Sequence, residues 1–80
     1  MKTIKIRFVK NQRGNYNIQE KGWFGRWKYI GYSVDMGYGG YYEYYSGKSK
    51  QELLDEVSDK HFRTCRKYIK FIQYPTIKIY

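Results

Sequence analysis

Acidic residues, histidine, cysteine and proline are scarce in this chain, and each scarcity excludes something. Among 80 residues there are seven Asp and Glu against sixteen Lys and Arg, with a single His, a single Cys and a single Pro. One cysteine, Cys65, forms no internal disulfide, whereas an extracellular mini-domain of this size usually relies on several, so an intracellular setting is expected. A structural zinc site takes about four ligands, which His61 and Cys65 alone cannot supply. Neither a metal nor any other cofactor is expected. Long apolar runs are also missing: nothing approaches the roughly 20 residues of a membrane span. The stretch Met1-Lys2-Thr3-Ile4-Lys5-Ile6-Arg7 alternates charge with apolar side chains instead of building the apolar core of a signal peptide. A soluble protein without membrane contact is the expectation.

What is abundant is positive charge and aromatic surface. The net charge is +9, and it is spread along the chain: residues 1–47 carry eight basic and three acidic side chains, residues 48–80 eight and four. Such a small body sits in a positive potential that attracts anions, nucleic acid and nucleotides among them. Eleven Tyr, four Phe and two Trp supply rings, many with a polar edge that tolerates partial exposure. A chain this short buries only roughly 60% of its unfolded surface, which suits one core and one domain spanning residues 1–80.

Periodicity divides the chain into elements. Ile4, Ile6 and Phe8 alternate with Lys5 and Arg7, the pattern of a strand over Thr3–Lys10 with one wet face. Asn11-Gln12-Arg13-Gly14-Asn15 has hairpin turn chemistry, and Tyr16–Lys21 returns as a second strand. Gly22-Trp23-Phe24-Gly25-Arg26 reads as another tight connection. Trp27–Val34 reads as a third strand, with Trp27, Tyr29, Gly31 and Ser33 on one side and Lys28, Ile30, Tyr32 and Val34 on the other. After the glycine-rich segment Asp35–Gly40, Tyr41–Tyr45 reads as a fourth strand.

Ser49-Lys50-Gln51-Glu52 is a capping box that opens a helix. Leu53, Leu54, Val57, His61, Phe62 and Cys65 give that helix an apolar stripe, with acids early and bases late to match its dipole. Its end is expected between Cys65 and Lys70. Pro75 holds Tyr74 extended, and Thr76–Tyr80 alternates again as a closing edge strand. The predicted fold is α+β: four to five mostly antiparallel strands with one helix packed on one face, in the order β-β-β-β-α-β.

Each candidate for chemistry competes with plain packing or solvation. His61 and Cys65, four apart on a helix, are the nearest approach to a nucleophile–base pair. Both fall on or beside the apolar stripe, where a buried Cys behaves as a small apolar group. The seven carboxylates are few, and four of them are spaced along the first half of the helix, so no acid/base pair is built. The chain is therefore expected to bind rather than catalyse. Gly37-Tyr38-Gly39-Gly40 offers backbone amides that can cradle a phosphate, but it matches no phosphate-binding fingerprint and leads into a strand, which favours a plain loop.

Lys21 to Tyr29 interleaves bases with rings, the composition that single-stranded nucleic acid calls for. Trp23, Arg26, Trp27, Lys28 and Tyr29 are the candidate contacts, against the alternative that Trp23, Phe24 and Trp27 cover one end of the core. Lys60, Arg63, Lys67 and Lys70 form a basic helical stripe if the helix lasts that far, with no acid between Lys60 and Tyr80. Tyr41, Tyr42, Tyr44 and Tyr45 put rings on both faces of the fourth strand, so one pair is core and the other is exposed. With Tyr38, these tyrosines are the candidate contact for a partner protein or a second copy of the chain.

The whole chain resembles small uncharacterised accessory proteins encoded by bacteriophages. The features that carry the resemblance are the Trp23-Phe24-Gly25 turn, the Ser-led helix with acidic first turns from Ser49 to Glu56, and the closing Tyr74-Pro75-Thr76-Ile77. It implies a compact protein acting in the cytoplasm of an infected bacterium. Such proteins often modulate host machinery or counter host defence. The leading expectation is a non-enzymatic binder of an anionic ligand, nucleic acid first. The alternative is an anti-defence inhibitor that docks on a host protein or captures a small signalling nucleotide.

Overall fold

A computed structural model of the chain describes residues 2–22, 24–62 and 69–79. Strand β1 (Lys2–Lys10) pairs antiparallel with β2 (Tyr16–Lys21), which pairs with the short β3 (Trp27–Tyr29). Strands β4 (Gly31–Asp35) and β5 (Gly40–Tyr44) form a separate two-stranded hairpin. The two-residue β6 (Ser46–Gly47) returns to pair with β2. Helix α1 (Lys50–Lys60) follows, and β7 (Ile69–Lys78) pairs parallel with β1. The main sheet thus has five strands, in the order β3-β2-β1-β7 with β6 beside β2. The fold is α+β and its sheet is mostly antiparallel.

The apolar side of the alternation decides the core. Ile4, Ile6 and Phe8 of β1 and Ile18 of β2 meet Leu53 and Val57 of α1, joined by Ile30, Tyr45 and Phe62. Burying each such side chain contributes about 1.5–3 kcal/mol. Asn11 shapes the first turn: its Oδ1 accepts the Arg13 and Asn15 amides at 2.9 and 3.1 Å, while Gly14 takes φ 83°. Ser49 caps α1, its Oγ accepting the Glu52 amide at 3.2 Å.

Three expectations are corrected. The third strand is not continuous from Trp27 to Val34. Ile30 is still held to β2, its amide donating to the Ile18 carbonyl at 3.0 Å, but its carbonyl accepts the Tyr45 amide at 3.2 Å, and beyond it the chain leaves the main sheet. Next to it, a Cβ on Gly31 would collide with the Glu43 carbonyl oxygen and reach 2.8 Å from the Tyr42 ring. The hairpin β4–β5 springs from this bend.

The helix ends at Lys60, well before the Cys65–Lys70 range. The amides of His61 and Phe62 both donate to the Val57 carbonyl, at 2.8 and 3.2 Å, and this closure turns Phe62 into the core against Phe71, 5.6 Å between ring centroids. His61 is exposed instead of lying on the buried stripe, and Cys65 lies outside the described residues.

The last strand starts at Ile69 and includes Pro75. Its register with β1 slips between Arg7↔Tyr74 and Val9↔Ile77, placing Pro75 and Thr76 together opposite Phe8. A bulge at an outer edge is where a residue without an N–H is tolerated. No helix among the described residues is long and apolar enough to cross a membrane.

Candidate functional site

One face of the main sheet carries the helix; the other is exposed at Thr3 and Lys5 and half-buried at Arg7, Trp27 and Tyr74, while Val9 and Gln19 on it are buried. Alternation and register assign its members. From β1 come Thr3, Lys5, Arg7 and Val9, with Arg7 directly beside Gln19 of β2. From β3 come Trp27 and Tyr29, opposite Lys21 and Gln19. On the other flank β7 adds Lys70, Ile72 and Tyr74 beside Thr3, Lys5 and Arg7. Four cations and three rings share this face with no carboxylate among them.

The topology explains the concentration of charge. No acid precedes Glu20 in the chain and none follows Asp59. The parallel pairing of β1 with β7 lays these two acid-free segments side by side.

At the centre Arg7 is held between two neighbours. Its Nε donates to Gln19 Oε1 at 2.7 Å, and its guanidinium carbon sits 4.4 Å from the Trp27 ring centroid. Gln19 is buried beneath this contact. Such a cation–π contact contributes about 0.5–2 kcal/mol, and the fixed orientation leaves the guanidinium amino groups directed by a ring rather than by an acid. Trp27 in turn meets Tyr74 edge-on at 5.3 Å, and Lys21 Nζ lies 5.6 Å from the Tyr74 ring.

The rings continue onto the hairpin. Tyr29 stacks on Tyr44 at 4.6 Å with 15° between planes, and Tyr44 meets Tyr42 edge-on at 5.6 Å. Tyr42 and Tyr44 lie over the small residues Ser33 and Gly31, their register partners. An aromatic track therefore runs from the open sheet face onto one side of the hairpin. The opposite side holds Val34 and Tyr41 with Tyr32, whose hydroxyl donates to Glu43 Oε2 at 3.2 Å. Partial desolvation, then this bond and the charge of Glu43, raise the Tyr32 phenol above its ordinary pKa.

The structure distributes the sequence-predicted site residues unevenly. Trp27 and Tyr29 lie on the open face. Lys28 points to the other side of the sheet, as the register partner of Glu20. Arg26 is exposed in the turn before β3. Lys70 belongs to β7 and reaches the open face from there, because the helix that was to carry it stops ten residues earlier. Lys60 is engaged with Glu56 at 3.3 Å, so Lys60 and Lys70 do not share a helical stripe. Trp23, Arg63 and Lys67 lie outside the described residues. Phe24, which the packing alternative placed over one end of the core, is 94% exposed in its turn.

Tyr45 is a correction of a different kind. It is 6% exposed and belongs to the core, because the chain returns to the main sheet after Tyr44 and the Asn17 side chain holds the Tyr45 carbonyl at 2.9 Å. Tyr38, Tyr41, Tyr42 and Tyr44 remain exposed on the hairpin.

Lys5, Arg7, Lys21 and Tyr74 are the site members that local sequence reasoning missed. The signal available was the wet side of the first strand, with Lys5 and Arg7; nothing local tells that Tyr74 lies beside Arg7. Among the described residues no three His, Cys, Asp or Glu side chains cluster.

No protein-family model matches the chain, and neither a curated protein nor a solved structure does.

Proposed function

We propose that this protein is a non-enzymatic binder of single-stranded nucleic acid, and that the ligand lies across the open sheet face. The observation that carries this reading is the Arg7–Trp27–Tyr74 cluster flanked by Lys5, Lys21 and Lys70 on a face with no acid among the described residues. Single strands require planar groups for bases and cations for phosphates within the same reach. A rigid duplex exposes no base faces to such a platform, so single strands are preferred. The ring track through Tyr29 and Tyr44 extends the platform toward the hairpin.

Fluorescence anisotropy with labelled oligonucleotides tests this reading. If Lys5, Arg7, Lys21 and Lys70 each meet a phosphate, the logarithm of the association constant falls with that of salt concentration with a slope of about −3. Binding that is absent, salt-independent or equally strong for duplexes overturns the proposal.

A second reading rests on the far side of the hairpin, where Tyr32 and Tyr41 are exposed beyond the ring track. Exposed tyrosines on a projecting element suit a contact with a protein, such as a host factor that this chain inhibits. Capture of a partner from bacterial lysate that survives nuclease favours it; loss of capture under nuclease favours nucleic acid.

A further inference from the structure

A second basic site stands apart from the open face. Lys10 and Lys78 are register partners where the parallel β1–β7 pair ends. Like charges directly opposite one another on neighbouring strands repel. Neither of these lysines has a carboxylate partner among the described residues. They line a cavity of about 490 Å³ together with Asn11, Gln12, Gly14 and Ile79. That size lies in the range of small-ligand sites.

The walls of the cavity are tied down. Asn11 organises the adjoining turn through Oδ1 and donates from Nδ2 to Asn17 Oδ1 at 3.3 Å. The Ile79 amide donates to the Lys10 carbonyl at 3.0 Å, binding the end of β7 to β1. Lys10 Nζ is also placed 5.9 Å from the Tyr16 ring. Two ammonium groups and a carboxamide at Gln12, with no acid among the described lining residues, suit a compact oxyanion of charge near −2, which cancels the repulsion that the two lysines otherwise sustain.

We propose that the cavity between Lys10 and Lys78 binds a phosphate monoester. Lys10 lies on the helix side of β1, in step with Ile6 and Phe8, so the site does not depend on the ring-bearing face. The monoester is either the terminal phosphate of a nucleic-acid strand or that of a phosphorylated small molecule.

Amide chemical shifts followed by NMR during a titration with inorganic phosphate, at constant ionic strength set with chloride, test the proposal. Saturable shifts are expected for the amides of residues 10–14 and 78–79. The K10Q/K78Q variant, whose side chains lie outside the core, should keep the dispersed spectrum of the folded protein and bind phosphate at least about tenfold more weakly. Adenosine monophosphate and a short oligonucleotide with or without a 5′-phosphate then separate the sources. A several-fold preference for the 5′-phosphorylated strand that disappears in K10Q/K78Q assigns a strand end. Binding of phosphate and adenosine monophosphate without that preference assigns a small molecule. Shifts that chloride reproduces, or that persist unchanged in K10Q/K78Q, overturn the site.

Discussion

The five-stranded sheet and the hairpin β4–β5 use the same residue types to opposite ends. In the main sheet, rings on the open face lie against a layer whose reverse is sealed by Ile4, Ile6, Phe8 and α1. In the hairpin, every residue of β5 is exposed, and Tyr41, Tyr42 and Tyr44 have a second strand beside them but no core behind them. A two-stranded hairpin alone is marginally stable in water. Its order therefore derives from its root, where Ile30 and Tyr45 are buried and Tyr44 stacks on Tyr29. A ring backed by a core is a rigid surface, whereas one on an unsupported ribbon gains its position from the few contacts at the base.

The sharpest way to break this contrast is at the root itself. Ile30→Ala should cost about 2–5 kcal/mol, since it opens a cavity where both sheets meet; chemical denaturation measures it. A loss below about 1 kcal/mol would show that the hairpin is anchored elsewhere.

Gly31→Ala should separate the two regions rather than unfold both. The added methyl meets the Glu43 carbonyl and the Tyr42 ring, and a strained backbone contact of this kind costs about 1–3 kcal/mol. Hydrogen exchange should quicken in β4 and β5 while the amides of β1 and β2 stay protected. Uniform quickening contradicts the division into body and arm.

Binding sharpens the comparison further. Trp27→Ala should weaken single-strand binding by about 1–3 kcal/mol, the range for loss of one stacking ring. Tyr44→Ala, at the junction, should produce a smaller loss, and its anisotropy titration should retain the salt slope because no cation is removed. The smallest effect belongs to Tyr41→Ala on the far side of the hairpin. It should change stability by no more than about 0.5 kcal/mol and leave oligonucleotide affinity unaltered. A large loss of affinity there would move the interface off the sheet.

Much of this architecture was legible locally. Ile4, Ile6 and Phe8 revealed the buried side of β1; Asn11 to Asn15 revealed its turn; and Ser49 marked the first turn of α1. The parity of Trp27, Tyr29, Gly31 and Ser33 was also correct even though the strand breaks, because a bend between two strands preserves the alternation of side chains. Tyr45 misled because its neighbours are tyrosines too, and composition cannot say which of several identical rings turns inward.

The amino-acid order by itself determined the charge, the alternation of apolar and polar positions, the turns and the start of the helix. These depend on neighbours within a few residues, where steric preference and local hydrogen bonding act. Only the tertiary structure decided that β7 lies parallel to β1, that the third strand parts company with the sheet at Ile30, and that α1 closes at Lys60. Those choices follow from which distant surfaces bury each other, and from them comes the meeting of Arg7, Trp27 and Tyr74, residues up to 67 positions apart in the chain, on one face.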